Sequence, residues 1–142
     1  MNKKILFLCT GNSCRSQMAE AWTNYLNKDD FNAYSAGIAP KGVDPRAIEV
    51  MAEAGIDISG QNSKDIDSLG DMEFDYVVTL CDNANEACPF FPAKTKLLHR
   101  GFDDPPGLAE GLKIEEEALN HYRRVRNEIK AFVENLEEEL NS

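Results

Sequence analysis

The segment Cys9–Ser16 holds the residues best suited to chemistry: a cysteine, five intervening residues, an arginine and a serine. A thiolate is a strong nucleophile, and a guanidinium offers a planar fork of donors that matches a tetrahedral oxyanion. We therefore predict that Cys9 attacks an oxyanion held by Arg15, while Ser16 forms a hydrogen bond to the sulfur. The residues expected to bind the oxyanion are Thr10, Gly11, Asn12, Ser13, Cys14 and Arg15.

The sequence on either side of this segment predicts the elements that such chemistry requires. The apolar run 5–8 indicates a buried strand that ends at Cys9. Apolar residues at helical spacing follow the segment, namely Met18, Ala21, Trp22, Tyr25 and Leu26. The loop thus leads into a helix N-terminus, whose unpaired N–H groups and dipole attract an anion and favour a thiolate. A core thiol beside a surface arginine is the alternative, and the strand–loop–helix context argues against it.

Length and composition indicate one domain over residues 1–142, since 42% of the residues are hydrophobic. The sequence has neither an apolar run of membrane-spanning length nor a signal-peptide pattern. We therefore expect a cytoplasmic protein without a membrane partner, whose four cysteines are reactive thiols rather than a disulfide framework. The formal net charge of −10 disfavours a nucleic-acid partner, and it requires that the attraction for an anionic substrate be local.

Strands and helices alternate along the chain, which predicts an α/β fold with a four-stranded parallel sheet and helices on both faces. We expect strands at 5–9, 32–35, 75–80 and 96–99. Helices are expected at 14–27, in the stretch that begins at Pro45, and in one long amphipathic stretch from Ala118 to Leu140. Ligands of such folds bind beyond the carboxyl ends of the strands, and both Cys9 and Cys81 fall there.

Cys81 follows the third strand, and Cys88 comes seven residues later. The spacing does not match a zinc motif, so the two thiols are either inert or a redox pair, and their place at the sheet edge favours the pair. A helical 82–88 segment would separate them by roughly 10.5 Å. A disulfide needs Cα atoms within about 7 Å, so a bond between them requires a loop or an unwound helix. Cys14 has no obvious partner, and we interpret it as structural or incidental.

Asp104 precedes Pro105, and the proline disfavours helical angles at the aspartate. A loop of this kind can hold a carboxyl group over a neighbouring site, where it would protonate a leaving oxygen as a general acid. The alternatives are an ordinary Asp-Pro turn and an acid role for the adjacent Asp103.

In combination, these motifs resemble those of the thioredoxin-coupled arsenate reductases, which have the low-molecular-weight tyrosine phosphatase fold. The resemblance covers nearly the whole chain. The stretches that carry it are Cys9–Glu20, Tyr34–Gly37, Val77–Cys81, Cys88–Pro89, Phe102–Pro105 and Arg123–Arg126.

The resemblance implies a complete reaction sequence. Cys9 attacks arsenate, and Asp104 protonates the departing oxygen. Cys81 then attacks the sulfur of Cys9 and releases arsenite, and Cys88 attacks Cys81 and frees Cys9. Thioredoxin reduces the resulting disulfide. We expect a monomer that uses neither a metal ion nor an organic cofactor.

Two other functions share part of this pattern. A low-molecular-weight protein tyrosine phosphatase would use Cys9, Arg15 and Asp104 but would have no use for Cys81 and Cys88. A non-enzymatic thiol sensor would leave Arg15 and Asp104 idle. One departure from the resemblance concerns potassium: relatives that bind the ion have ligands matching Asn12, Glu20 and Ser35 and an aspartate at position 64, where this chain has Lys64. The ammonium of Lys64 either pairs with Glu20 in place of the ion or faces solvent, and the sequence alone does not choose between the two.

Overall fold

Four parallel strands form the centre of the computed structural model, which describes residues 2–82, 84, 91–92 and 94–141. The strand order in this sheet is β2-β1-β3-β4. The strands are β1 (Lys3–Cys9), β2 (Phe31–Gly37), β3 (Tyr76–Thr79) and β4 (Lys96–His99). The predicted four-stranded parallel sheet is therefore confirmed, with β1 and β2 slightly longer than the hydrophobic pattern indicated.

Helices connect and cover the strands. They are α1 (Arg15–Leu26), α2 (Pro45–Glu53), α3 (Pro105–Ala109), α4 (Glu115–Glu134) and α5 (Leu136–Asn141), with a short 3₁₀ helix at Ile66–Leu69. Helix α2 begins as predicted at Pro45, and the side chain of Asp44 caps it by accepting a hydrogen bond from the N–H of Arg46. Among the described residues, no helix is both long enough and apolar enough to cross a membrane.

The prediction of one continuous helix from Ala118 to Leu140 was wrong. Helix α4 ends at Asn135, where the backbone leaves helical angles (φ −112°, ψ 28°), and α5 begins at the next residue. Both Leu136 and Leu140 are buried. The break therefore keeps the apolar residues of α5 in the core, although the hydrophobic pattern alone reads as unbroken.

Strand β1 is buried on both sides. Ile5, Leu6, Phe7 and Leu8 all have a relative exposure of 0%. Successive side chains of a strand point to opposite faces, so both faces of the sheet are covered at β1. On one of them, helix α1 contacts β1 and β2 and packs against α4.

The carboxyl ends of the strands bring the predicted site residues to one edge of the sheet. Cys9 ends β1 and pairs in register with Gly37, the last residue of β2, while Cys81 follows the end of β3. Gly37 lies so close to the loop after β1 that a Cβ atom there would stand 2.8 Å from the carbonyl oxygen of Thr10 and 2.9 Å from the backbone nitrogen of Asn12. The close approach therefore requires glycine at this position.

We predict that Gly37→Ala lowers the free energy of unfolding by about 1–3 kcal/mol, because the new methyl group meets backbone atoms that cannot turn aside. Thermal unfolding followed by circular dichroism measures the change. Gly60→Ala is the matched control, since a Cβ there has no atom within 4 Å. An equal stability of the two variants would contradict the steric argument.

Candidate active site

The loop after β1 surrounds a cavity of about 250 Å³. Most of the predicted oxyanion-binding residues line it. The complete lining consists of Cys9, Thr10, Gly11, Ser13, Cys14, Arg15, Lys41, Asp104 and Pro106. The cavity thus contains the predicted nucleophile, the predicted guanidinium and the predicted acid. Asn12 and Ser16, both fully buried, do not line it.

The sulfur of Cys9 has a hydroxyl partner. The Sγ atom of Cys9 and the Oγ atom of Ser16 are 2.9 Å apart. The side-chain amide of Asn12 donates to the same Oγ over 2.8 Å, and its Oδ1 accepts from the backbone N–H of Lys64. Because that N–H can only donate, the amide orientation of Asn12 is fixed. Ser16 therefore accepts from Asn12, and its own hydroxyl hydrogen is available to donate to the sulfur when Cys9 is a thiolate.

Asn12 has φ +45°, a left-handed backbone conformation that asparagine tolerates better than most residues. Gln17, also fully buried, donates from its side chain to the carbonyl of Asn12 and to that of Asn62. The side-chain amide of Gln17 therefore holds the cysteine loop against the segment that contains Asn62. Sequence reasoning missed this role of Gln17, and only its position on the first turn of α1 could have indicated it.

Arg15 links the cysteine loop to the segment that carries the predicted acid. It donates to the carbonyl of Phe102 over 2.9 Å, and its other terminal nitrogen lies 3.5 Å from Oδ1 of Asp104. The two candidate acids differ in their surroundings. Asp104 lines the cavity, whereas Asp103 pairs with Arg124 at 2.9 Å. The backbone at Asp104 is extended, as the following proline predicts.

Cys81 is a buried free thiol held close to the cysteine loop. Its Sγ atom lies 3.3 Å from the hydroxyl of Thr10, the residue next to Cys9. It also accepts a hydrogen bond of 3.4 Å from the backbone N–H of Ala84. The structure therefore brings Cys81 beside the loop that surrounds the cavity, although Cys81 is not among the lining residues. Cys88 lies outside the described residues.

Cys14 differs from Cys9 in its surroundings. Burial raises the pKa of the Cys14 thiol well above its usual range, and the negative charge of Asp44 raises it further. The Cys14 sulfur is therefore protonated at neutral pH, although the residue lines the cavity. A protonated thiol is a poor nucleophile, which suits a structural role.

Sequence reasoning also missed Lys41 and Pro106, which complete the lining of the cavity. Lys41 belongs to the loop after β2, which ends at the same sheet edge as β1. The signal available in the sequence was that position alone, because a lysine between Pro40 and Gly42 forms no recognisable motif.

Lys64 pairs with Glu20 beside the loop. Its ammonium nitrogen lies 3.7 Å from Oε1 of Glu20, and the hydroxyl of Ser35 donates to the same oxygen over 2.8 Å. Burial raises the pKa of Glu20, and Ser35 and Lys64 oppose that shift. Since a lysine ammonium already neutralises the carboxylate here, these residues do not fit a resident potassium ion.

The family of the chain follows from comparison with known proteins. Residues 4–142 match the model of the low molecular weight phosphotyrosine protein phosphatase family. The chain belongs to that family. The resemblance drawn from the motifs is thereby confirmed, together with the fold that it implied.

Several of the similar proteins within this family are arsenate reductases. An arsenate reductase of Halalkalibacterium halodurans is 52% identical over 130 residues, which are 91% of each chain. One of Staphylococcus aureus strain Newman is 49% identical over 133 residues, covering 94% of this chain and 95% of that one. The solved structure of an arsenate reductase in an oxidized state is 33% identical, with a TM-score of 0.79, and the alignment covers 97% of this chain and 98% of that one.

The Lys64–Glu20 pair makes a prediction about cations. The melting temperature of the protein should be the same in potassium chloride and sodium chloride at matched ionic strength, because the Lys64 ammonium already supplies a positive charge to Glu20. Lys64→Asp should create a potassium site, so that the melting temperature of this variant rises as the site fills with potassium. Lys28→Asp, an equal charge change at the opposite edge of the sheet, should not. A wild-type protein that melts higher in potassium than in sodium would refute this.

Proposed function

We propose that this protein reduces arsenate to arsenite, with Cys9 as the nucleophile and Cys81 as the second thiol of a relay. The observation that carries the proposal is the hydrogen bond between Cys81 and Thr10, because it brings a second free thiol within 3.3 Å of the residue that follows Cys9. The loop around Cys9 and Arg15 suits any tetrahedral oxyanion. A second thiol beside that loop is needed only if the reaction is a reduction.

The first step is a substitution at arsenic. The Cys9 thiolate attacks arsenate, an S–As bond forms and an As–O bond breaks. Asp104 donates a proton to the departing oxygen, which leaves as water. Arg15 and the backbone N–H groups of the loop hold the remaining oxygens, and the hydroxyl of Ser16 stabilises the sulfur before it attacks.

The second step transfers two electrons. The Cys81 thiolate attacks the sulfur of Cys9, and the electron pair of the S–As bond leaves with arsenic, which departs as arsenite. A Cys9–Cys81 disulfide remains, so two thiols have lost two electrons and arsenic has gained two. By resemblance, Cys88 then attacks Cys81, frees Cys9 and leaves a Cys81–Cys88 disulfide.

We infer that thioredoxin reduces this final disulfide, because the relay needs an external dithiol and because the motifs resemble those of thioredoxin-coupled enzymes. Transfer is favourable only if the Cys81–Cys88 couple is not more reducing than about −270 mV. A cytoplasmic location follows from the need for free thiols. We further infer a monomer, with no nucleic-acid or membrane partner.

A phosphatase function for the same cavity is less well supported. Phosphate-ester hydrolysis would use Cys9, Arg15 and Asp104 and regenerate the thiol with water. It leaves Cys81 and its contact to Thr10 without a purpose.

The proposal is tested by NADPH consumption with thioredoxin reductase and thioredoxin. Consumption should depend on arsenate, and Cys9→Ser should abolish it while the circular dichroism spectrum is retained. Peptide mapping of the protein after one turnover without thioredoxin should find Cys81 joined to Cys88. Turnover by a folded Cys9→Ser protein would refute the role of Cys9. A product that joins Cys14 to another cysteine would refute the relay.

The acid is tested by a pair of neighbouring substitutions. Asp104→Asn should lower kcat/KM for arsenate by about 10²–10⁴-fold, which is the usual contribution of a general acid. Asp103→Asn, which loses only the exposed contact with Arg124, should cost much less. If the two effects are reversed, the acid is Asp103.

A further inference from the structure

The loop after β2 runs alongside the cysteine loop, joined to it by backbone hydrogen bonds. Its N–H groups donate in order to carbonyls of the facing loop, with distances of 2.8–3.3 Å. The four pairs are Ile38 to Cys9, Ala39 to Thr10, Lys41 to Gly11 and Asp44 to Ser13. This pairing fixes the backbone of Lys41 relative to the oxyanion cavity.

The side chain of Lys41 is held over Gly11. A Cβ atom on Gly11 would stand 3.2 Å from Cδ of Lys41, so the aliphatic stem covers the space that glycine leaves open. Lys41 also lines the cavity, together with Asp104 and Pro106, which follow β4. Among the described residues, no carboxylate lies within 4 Å of its ammonium.

Arg15, the other cation of the cavity, already has protein partners. Arg15 donates to the carbonyl of Phe102, and Asp104 lies 3.5 Å from its guanidinium. The cavity must nevertheless hold a dianionic oxyanion next to a thiolate, in a chain with a net charge of −10. The charge of Arg15 alone is opposed by Asp104 and by the nucleophile.

We propose that Lys41 is a further substrate-binding residue, whose ammonium contacts the oxyanion at the rim of the cavity and selects for its double negative charge. The inference rests on the proposed function for the identity of the substrate, though it applies to any tetrahedral dianion. Lys41 contributes equally to binding in the ground state and in the transition state. Its loss therefore raises KM and leaves kcat unchanged.

The test measures binding without requiring turnover. Cys9 is alkylated with iodoacetamide at increasing concentrations of inorganic phosphate, which protects the thiol when it binds. The fraction of modified Cys9 is quantified by mass spectrometry. Lys41→Met keeps the stem and removes the charge. At about 0.01 M ionic strength it should raise the half-protecting phosphate concentration about tenfold, equivalent to about 1.4 kcal/mol. At about 1 M, where the screening length falls from about 30 Å to about 3 Å, the difference should shrink to about threefold or less.

Two controls separate a local contact from net charge. Lys41→Arg should stay within about twofold of wild type, because it restores the cation. Lys28→Met has the same net charge as Lys41→Met but lies at the opposite edge of the sheet, so it should also stay within about twofold. The proposal would be overturned if Lys41→Met left the half-protecting phosphate concentration at low salt unchanged. It would also be overturned if Lys28→Met raised that concentration as much as Lys41→Met does.

Arsenate turnover then distinguishes the two proposals. If wild type reduces arsenate, Lys41→Met should raise KM about tenfold at low salt with kcat within about twofold. A loss confined to kcat would overturn the binding role. If wild type does not reduce arsenate but phosphate protection still depends on Lys41, the proposed function fails and the oxyanion contact stands.

Discussion

The active-site loop depends on the buried side chain of Asn12. Its carbonyl oxygen accepts from the backbone of Lys64, its amide donates to Ser16, and its own backbone carbonyl accepts from Gln17. The bonds of Asn12 to Ser16 and Gln17 are buried, so losing either would leave a buried polar group unpaired at a cost of about 1–3 kcal/mol. The strained φ of Asn12 is tolerated because these contacts determine the position of the residue from both sides.

This arrangement determines the chemistry of the nucleophile. Because Ser16 accepts from Asn12, its hydroxyl hydrogen is available to donate to the sulfur of Cys9 when that sulfur is a thiolate. Lys64 donates its backbone N–H to Asn12 and also pairs its ammonium with Glu20, so the residue that holds Asn12 has a second anchor. The site is therefore preorganised before any oxyanion arrives, which reduces the free energy that binding must spend on ordering the loop.

The sequence predicted the parts of this molecule that rest on local pattern. The strand–loop–helix unit around Cys9, the parallel sheet and the position of Asp104 follow from apolar periodicity and from proline, because these act over a few residues. What could not be predicted depends on contacts between distant segments. The break at Asn135, the support from Gln17 and the approach of Lys41 to Gly11 leave no mark in the spacing of residues. The choice between Asp103 and Asp104 likewise needed the position of Arg124.

The surroundings of Cys14 suit the proposed relay, in which only one of the two cysteines of the loop is oxidised. Asp44 caps helix α2 and accepts a hydrogen bond of 2.6 Å from the hydroxyl of Tyr122. Its negative charge, together with burial, raises the pKa of Cys14, so that sulfur remains a thiol. Disulfide exchange requires a thiolate as the attacking group. A residue whose local task is to begin a helix thus also keeps the second cysteine of the loop out of the proposed relay, and attack on Cys9 is left to Cys81.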